Sequence, residues 1–204
     1  MSKRPIFYRI WPDYNRRIPE KLDSIMSRVD PKVGPFAAPH LETMGEGFRA
    51  FGSGFLRAVP PDRSIYEFDA RHPLPDFLSG NWWSISSAAR KVLVQYAASA
   101  IDLAPEEVFF RYKGEDRPAG PRWLCDVIQF EDAVDAEASE IHWTTDGKQY
   151  DSNSKWVFKA DLPEDLHLFR IWYNPRAIIC SDGLRSALLA AKLSGIEFEK
   201  LGGA

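Results

Sequence analysis

The C-terminal stretch, residues 168–201, constrains the fold more than any other part of this chain. Its apolar runs at residues 168–173 and 177–180 predict two short strands, and Asn174-Pro175 between them predicts a turn. Ser181 follows the second run directly. Its hydroxyl is placed to accept a hydrogen bond from a free N–H group in the first turn of a helix. Two strands leading into a helix are therefore predicted.

The residues after Ser181 predict the rest of this unit. Asp182 places a negative charge at the positive end of the helix dipole. Apolar residues then recur at helical spacing, and Gly195 stands where a left-handed C-terminal cap is expected. Residues 196–199 alternate between apolar and charged side chains, as a half-buried strand does. The whole stretch predicts a compact β-turn-β-α-β unit, and nothing in it indicates catalysis.

The remaining segments complete an α+β pattern. The clearest helix is predicted at residues 87–101, where apolar side chains recur on one face. Further strands are predicted at residues 6–11, 64–68, 108–112, 122–130, 141–143 and 155–159. About eight strands and two or three helices in mixed order predict a largely antiparallel, mixed sheet with the helices packed on it.

Length and composition favour one folded unit. The chain has 204 residues, of which 45% are hydrophobic, enough for a sizeable core. We expect a single domain, with residues 1–70 as an irregular Pro/Gly-rich N-terminal lobe and residues 71–204 as the α+β core. The glycine-rich residues 45–54 match neither a dinucleotide-binding motif nor a P-loop, so a flexible loop is expected there.

Charge and cysteine content indicate a reducing compartment. The net charge of −3 argues against a broad basic surface for nucleic acid. No signal peptide and no run of about 20 apolar residues is recognised, so no membrane association is expected. Cys125 and Cys180 each lie in an apolar run and are expected to be buried free thiols. The cytoplasm is the expected location.

An acidic stretch is the main candidate for a binding surface. Residues 123–147 contain seven acidic residues and no Lys or Arg. The partner-binding candidates are Asp132, Asp135, Glu137, Glu140 and Trp143. The carboxylates are suited to a basic cleft, and a tryptophan can anchor an interface. The residues themselves favour a different interpretation, a solvated acidic edge with Trp143 in the core.

No pattern supports catalysis or metal binding. The four histidines are scattered and match no metal-ligand spacing, and no GxSxG motif accompanies Ser181. The pair Asp132 and Asp135 could be imagined as an acid and a base, but acids are abundant here. No catalytic residue, metal or cofactor is therefore assigned.

Two segments interleave aromatic and basic residues, at 7–11 and 109–113. Such interleaving can stack nucleobases. It is also typical of a strand with one buried and one solvated face, which is the favoured interpretation.

Three groups of residues share a pattern with a known protein family. They are residues 74–78 with 83–86, residues 125–127 with 130–135 and Ser139, and residues 168–170 with 179–185 and 193–198. On these residues the chain resembles immunity protein family eleven of bacterial polymorphic toxin systems, across residues 74–201. The resemblance implies binding and neutralisation of a cognate toxin encoded nearby, without a catalytic set.

The sequence thus predicts an immunity protein that is not an enzyme and neutralises a toxin by protein–protein interaction. The toxin is expected to present a basic active-site cleft to the acidic stretch. Two alternatives remain open at this point. One is a hydrolase-like enzyme with an unrecognised pocket, and the other is a nucleic-acid-binding module built on the basic–aromatic strands.

Overall fold

The computed structural model describes residues 5–13, 20–24, 63–67, 74–78, 82–145 and 147–201. Within these ranges the chain forms twelve strands and two α-helices. The strands are β1 (Phe7–Pro12), β2 (Glu20–Ser24), β3 (Arg63–Glu67), β4 (Phe77–Leu78), β5 (Trp83–Ser86), β6 (Ile101–Tyr112), β7 (Glu115–Pro118), β8 (Arg122–Val127), β9 (Phe130–Glu131), β10 (Leu168–Ile171), β11 (Asn174–Ser181) and β12 (Ile196–Leu201). The helices are α1 (Ser87–Ala97) and α2 (Asp182–Ala190), and a 3₁₀ turn, Ala98–Ala100, follows α1.

The described strands form two sheets. The five-stranded sheet has the order β12-β1-β11-β10-β9, and β9 with β10 is its parallel pair. The seven-stranded sheet has the order β2-β3-β6-β8-β5-β4, with β7 as a further partner of β6 and β3 with β6 as its parallel pair. The predicted α+β class and mainly antiparallel pairing are confirmed. The strands divide between two sheets where one was predicted.

The two helices pack in a core shared by both sheets. The buried face of α1 carries Ala89, Leu93 and Ala97, and that of α2 carries Leu184 and Leu188. These residues pack with side chains from both sheets, including Ile10, Ile85, Ile101, Val127, Leu168 and Ile178. Fully burying one such side chain stabilises the fold by about 1.5–3 kcal/mol, so this shared core holds the two sheets together.

Serine side chains start both helices, as predicted for Ser181. The Oγ of Ser181 accepts from the backbone N–H of Leu184 at 3.2 Å, and Asp182 lies in the first turn of α2. The Oγ of Ser86 accepts from the N–H of Ala89 at the same distance. Each cap satisfies a donor that the helix itself leaves unpaired.

Residues 132–166, here called the cover segment, lie on the five-stranded sheet opposite the helices. Within it the described residues form only isolated bridges, such as Val134 with Phe158, so the strands predicted at 141–143 and 155–159 are absent as regular strands. The cover segment is anchored by the buried side chains of Val134, Tyr150, Trp156, Phe158 and Leu166. They pack on Phe7, Phe169, Ile171, Ala177 and Ile179 of the sheet.

The end of α2 differs from the prediction. The left-handed residue is Lys192, with φ of +54°, and its N–H bonds to the carbonyl of Leu189 at 2.9 Å. The N–H of Leu193 bonds to the carbonyl of Leu188, which completes a Schellman cap. Gly195 lies three residues further on and has a different role, described below.

The predicted turn at Asn174-Pro175 is also displaced. The chain turns at Trp172-Tyr173, and Asn174 already pairs with Ile171 at the start of β11. The register of β10 against β11 shifts there, so Pro175 lies in an irregular part of the ladder. A proline needs no backbone donor at such a position.

The predicted helix at residues 87–101 is shorter than expected, and the strand after it is longer. The chain leaves α1 through the 3₁₀ turn, and β6 begins at Ile101 and passes through Pro105. Among the described strands, β6 is paired on one side only at Pro105, because β3 begins to pair at Glu107. The proline is therefore tolerated in a long strand.

Most of the predicted N-terminal lobe, residues 1–70, and the glycine-rich residues 45–54 lie outside the described residues. The described strand β1 lies between β11 and β12 in the five-stranded sheet. The division of the chain at residue 70 stays a prediction.

Candidate partner-binding surface

Trp143 is held on the surface by two tyrosines. Its ring centroid lies 5.0 Å from that of Tyr150 and 5.3 Å from that of Tyr173, at steep interplanar angles. The two tyrosine rings are 5.2 Å apart. Trp143 is 49% exposed whereas Tyr150 is buried, so the interpretation that placed Trp143 in the core is wrong. We call these three residues the aromatic cluster.

The backbone also holds the aromatic cluster together. Trp143 and Tyr150 form an antiparallel bridge, and the N–H of Tyr150 donates to the carbonyl of Tyr173 at 2.8 Å. Burial, and secondarily the charge of Asp132, raises the pKa of Tyr150. The cluster therefore joins the cover segment to the β10–β11 turn and lies within electrostatic range of Asp132.

Two of the candidate carboxylates form ion pairs. An Oδ atom of Asp132 lies 2.8 Å from the Nζ of Lys159. Glu140 lies 2.6 Å from the Nζ of Lys155 and 3.2 Å from the Nε2 of His142. The hydrogen bond from Lys155, followed by that from His142, lowers the pKa of Glu140. These pairs are exposed, so they contribute little stability, and they partly neutralise the acidic stretch.

The other two candidate carboxylates lie on a turn between these pairs. The carboxylate of Asp135 accepts from the N–H of Ala138 at 3.2 Å, and Glu137 is exposed on the same turn. Backbone hydrogen bonds run from Asp135 to Val157 and between Glu140 and Lys155. The candidate acids therefore lie along one strip of paired backbone, which leads to Trp143.

The cover segment remains strongly acidic despite its lysines. It contains nine Asp and Glu residues against three Lys, a net charge of −6 in a chain of net charge −3. The acidic stretch selected from the sequence ends before Lys148 and omits Asp161, Glu164 and Asp165, which are exposed. Tyr173 was not selected either, and it reaches the surface because the chain turns there.

Asp126 does not belong to this surface. It is 0% exposed in β8, and its carboxylate lies 3.2 Å from a guanidinium nitrogen of Arg170 in β10. Arg170 also donates to the carbonyls of Val127 and Pro175. A carboxylate inside an apolar strand is expected to face solvent or to accept from backbone donors. Asp126 instead forms a buried ion pair between the two sheets.

Asp76 joins stretches that carry the family resemblance. Its carboxylate accepts from the hydroxyl of Ser86 at 2.7 Å, and from the N–H and hydroxyl of Ser194, both at 3.0 Å. The guanidinium of Arg122 donates to the carbonyls of Pro75 and Asp76 beside it. This arrangement, here called the Asp76 latch, holds the strand pair β4–β5 against the loop that follows α2.

His167 and the basic–aromatic segment in β1 have structural partners. The Nδ1 of His167 lies 2.8 Å from the Oγ of Ser181, which is already the cap of α2. In β1 the guanidinium of Arg9 stacks on Trp11 at 3.6 Å, and the indole N–H of Trp11 donates to Glu199. In the described part of the chain, no group of three or more His, Cys, Asp or Glu residues is placed to hold a metal ion. His40 and His72 lie outside the described residues.

Neither described helix has the length and apolar character needed to cross a membrane. Cys125 and Cys180 are buried free thiols, as predicted.

The described residues form an α+β scaffold in which two sheets and two helices share a core, and an acidic segment with an exposed tryptophan covers one face. The family model of the immunity protein family Imm11 matches residues 40–203. This match spans most of the chain, so the protein belongs to the Imm11 immunity protein family. No curated protein matches the chain.

Proposed function

We propose that this protein neutralises a cognate toxin by binding it, and that the exposed side of the cover segment forms the contact surface. Membership of an immunity protein family supports a toxin as the partner. The observation that carries the choice of surface is Trp143, a half-exposed indole fixed by Tyr150 and Tyr173 on the acidic segment. Tryptophan is enriched among the residues that dominate binding energy.

The charge of the cover segment favours a basic toxin domain. Nine acidic residues against three lysines produce a negative field on this face. Such a field accelerates association with a basic cleft and disfavours acidic partners. A nuclease toxin would present a cleft of this kind, because its substrate is a polyanion. Occupation of that cleft would exclude the substrate and would require no cofactor.

The mode of action we propose is stoichiometric. A stable interface buries roughly 800 Å² on each partner, and inhibition by occupation requires one immunity protein for each toxin. The protein would act in the cytoplasm of the cell that makes the toxin. An enzyme, in contrast, would protect the cell when present in far fewer copies than the toxin.

Co-expression with the toxin encoded beside this chain tests the proposal. We expect growth to be restored, and the pair to elute together at equal stoichiometry from a size-exclusion column. Toxicity without rescue, or rescue without a complex, would contradict binding as the mechanism. Protection at a small fraction of the toxin concentration would indicate an enzyme.

A pair of charge reversals tests the surface. Glu137→Lys changes an exposed acid of the cover segment, and Glu107→Lys changes an exposed acid of the seven-stranded sheet. We expect Glu137→Lys to slow association at low salt, and Glu107→Lys to leave it unchanged. Equal effects of the two substitutions would place the interface elsewhere.

A further inference from the structure

Trp143 is ordered for binding before any partner arrives. It packs edge-on against Tyr150 and Tyr173, and the N–H of Thr144 next to it donates to the carbonyl of Gln149 at 2.9 Å. Because the indole is already fixed, a partner that contacts it loses little side-chain entropy from this residue. About half of the surface of Trp143 remains available to a partner.

The surroundings of Trp143 favour a cationic occupant over an apolar one. Among the described residues, the other exposed large apolar side chains are Ile6, just before β1, and Val94 and Leu189, on the helices. In the described part of the cover segment, Trp143 is thus the exposed large apolar side chain, and it lies on a segment with nine acids and three lysines. An apolar partner surface would desolvate those charges, whereas a cation on the indole face adds attraction to them.

Arginine already stacks on tryptophan elsewhere in the described part of the chain. The guanidinium of Arg9 lies 3.6 Å from the ring centroid of Trp11, whose indole N–H donates to Glu199. The guanidinium of Arg90 lies 4.9 Å from the ring of Trp123. An arginine stacks better than a lysine, since its planar group is delocalised and weakly hydrated.

We propose that the exposed face of Trp143 receives an arginine side chain of the toxin, with the negative charge of the cover segment holding the guanidinium there. This inference rests on the proposed function and specifies the chemistry of the same surface. It predicts that the toxin presents at least one arginine at the centre of its contact region. The tyrosines of the aromatic cluster do not contact the arginine in this proposal; they fix the orientation of Trp143.

Three substitutions at Trp143 separate stacking from simple apolar contact. Phenylalanine retains an aromatic face, leucine retains apolar volume without one, and alanine retains neither. Titration calorimetry with the purified cognate toxin is expected to show about a tenfold loss of affinity for Trp143→Leu and a clearly smaller loss for Trp143→Phe. Leu189→Ala, at an equally exposed apolar residue on α2, is expected to bind like the wild type.

Replacing toxin arginines one at a time by glutamine then identifies the partner group. The expected result is one arginine whose loss costs clearly less affinity once Trp143 is leucine than in the wild type. Equal affinities of the phenylalanine and leucine variants, or additive effects for every arginine, would overturn the stacking and leave the proposed function standing. A wild-type protein that fails to bind the toxin would overturn both. Circular dichroism of each variant verifies folding.

Discussion

Replacing Gly195 by alanine is expected to be among the most damaging changes of one methyl group in this chain. Gly195 has φ of +93°, a backbone conformation that other residues rarely adopt. A Cβ atom there would lie 2.1 Å from the carbonyl oxygen of Phe77 and 2.9 Å from the Cβ of Pro75. The nearest obstacle is backbone, so it cannot rotate away as a flexible side chain could.

The expected loss of stability follows from the contacts that must change to make room for the Cβ atom. The left-handed conformation costs a residue with a Cβ about 1–2 kcal/mol. Relieving the overlap separates the loop from β4, which weakens the bond from the N–H of Phe77 to the carbonyl of Ser194 at 3.0 Å. It also weakens the bonds of the Asp76 latch, each of which contributes about 0.5–1.5 kcal/mol. Together these effects predict a loss of about 3–5 kcal/mol.

Gly114→Ala provides the matched control. Gly114 has φ of +82°, and no atom lies within 4 Å of a Cβ built on it. We expect this control to lose only the conformational part, about 1–2 kcal/mol. Urea unfolding followed by tryptophan fluorescence measures both losses. If the two variants lose the same stability, then the close approach of Gly195 to Phe77 adds nothing to the cost of the substitution.

Two further predictions concern buried groups. Asp126→Asn removes the charge that faces the buried guanidinium of Arg170, so it should lower the free energy of unfolding by about 3–5 kcal/mol. The double change Asp126→Leu with Arg170→Met removes both charges and should recover much of that loss. Urea midpoints of the single and double variants check this, and an equally unstable double variant would contradict it. Burial raises the pKa of the Cys125 thiol and raises the pKa of Cys180 to about 12. A thiol whose pKa is higher in the folded state than in the unfolded state stabilises the fold. Its contribution to the free energy of unfolding is complete below the unfolded pKa of about 9 and is lost as pH rises. The free energy of unfolding should therefore fall by about 1.4 kcal/mol per pH unit for each thiol above pH 9, and a variant with alanine at both positions should lack this part of the slope.

The features that the sequence predicts correctly depend on neighbours along the chain. Ser181 caps α2 and Asp182 lies in its first turn because a helix start is determined by a few adjacent residues. The apolar face of α1 follows from its spacing for the same reason. Cys125 and Cys180 are buried since the runs around them are apolar.

The features that could not be predicted from the sequence depend on residues that are distant along the chain. Gly195 matches the pattern of a helix cap, but its requirement comes from Phe77, which lies more than a hundred positions earlier. Asp126 has no local sign of its partner, because Arg170 reaches it from the other sheet. In the cover segment, alternation suggested strands, but packing on the five-stranded sheet satisfies its apolar residues without regular pairing.

The candidate surface falls between these cases. The acids and Trp143 could be selected from the sequence, because charge and aromatic character are local properties. That Trp143 is exposed and oriented by Tyr173 could not, since this tyrosine comes from the β10–β11 turn. The lysines that neutralise Asp132 and Glu140 also follow only from the fold of the cover segment.

The cover segment separates the groups that hold it from the groups that would meet a partner. Trp156 and Phe158 point into the core on the sheet, whereas Glu137 and Trp143 lie on the outer side. Substitutions on that outer side remove few buried contacts and typically change stability by about 0.5 kcal/mol or less. The residues of the Asp76 latch, which carry part of the family resemblance, instead join distant parts of the chain. If the outer side of the cover segment is the contact surface, as proposed, its residues can vary while the latch and the shared core maintain the fold.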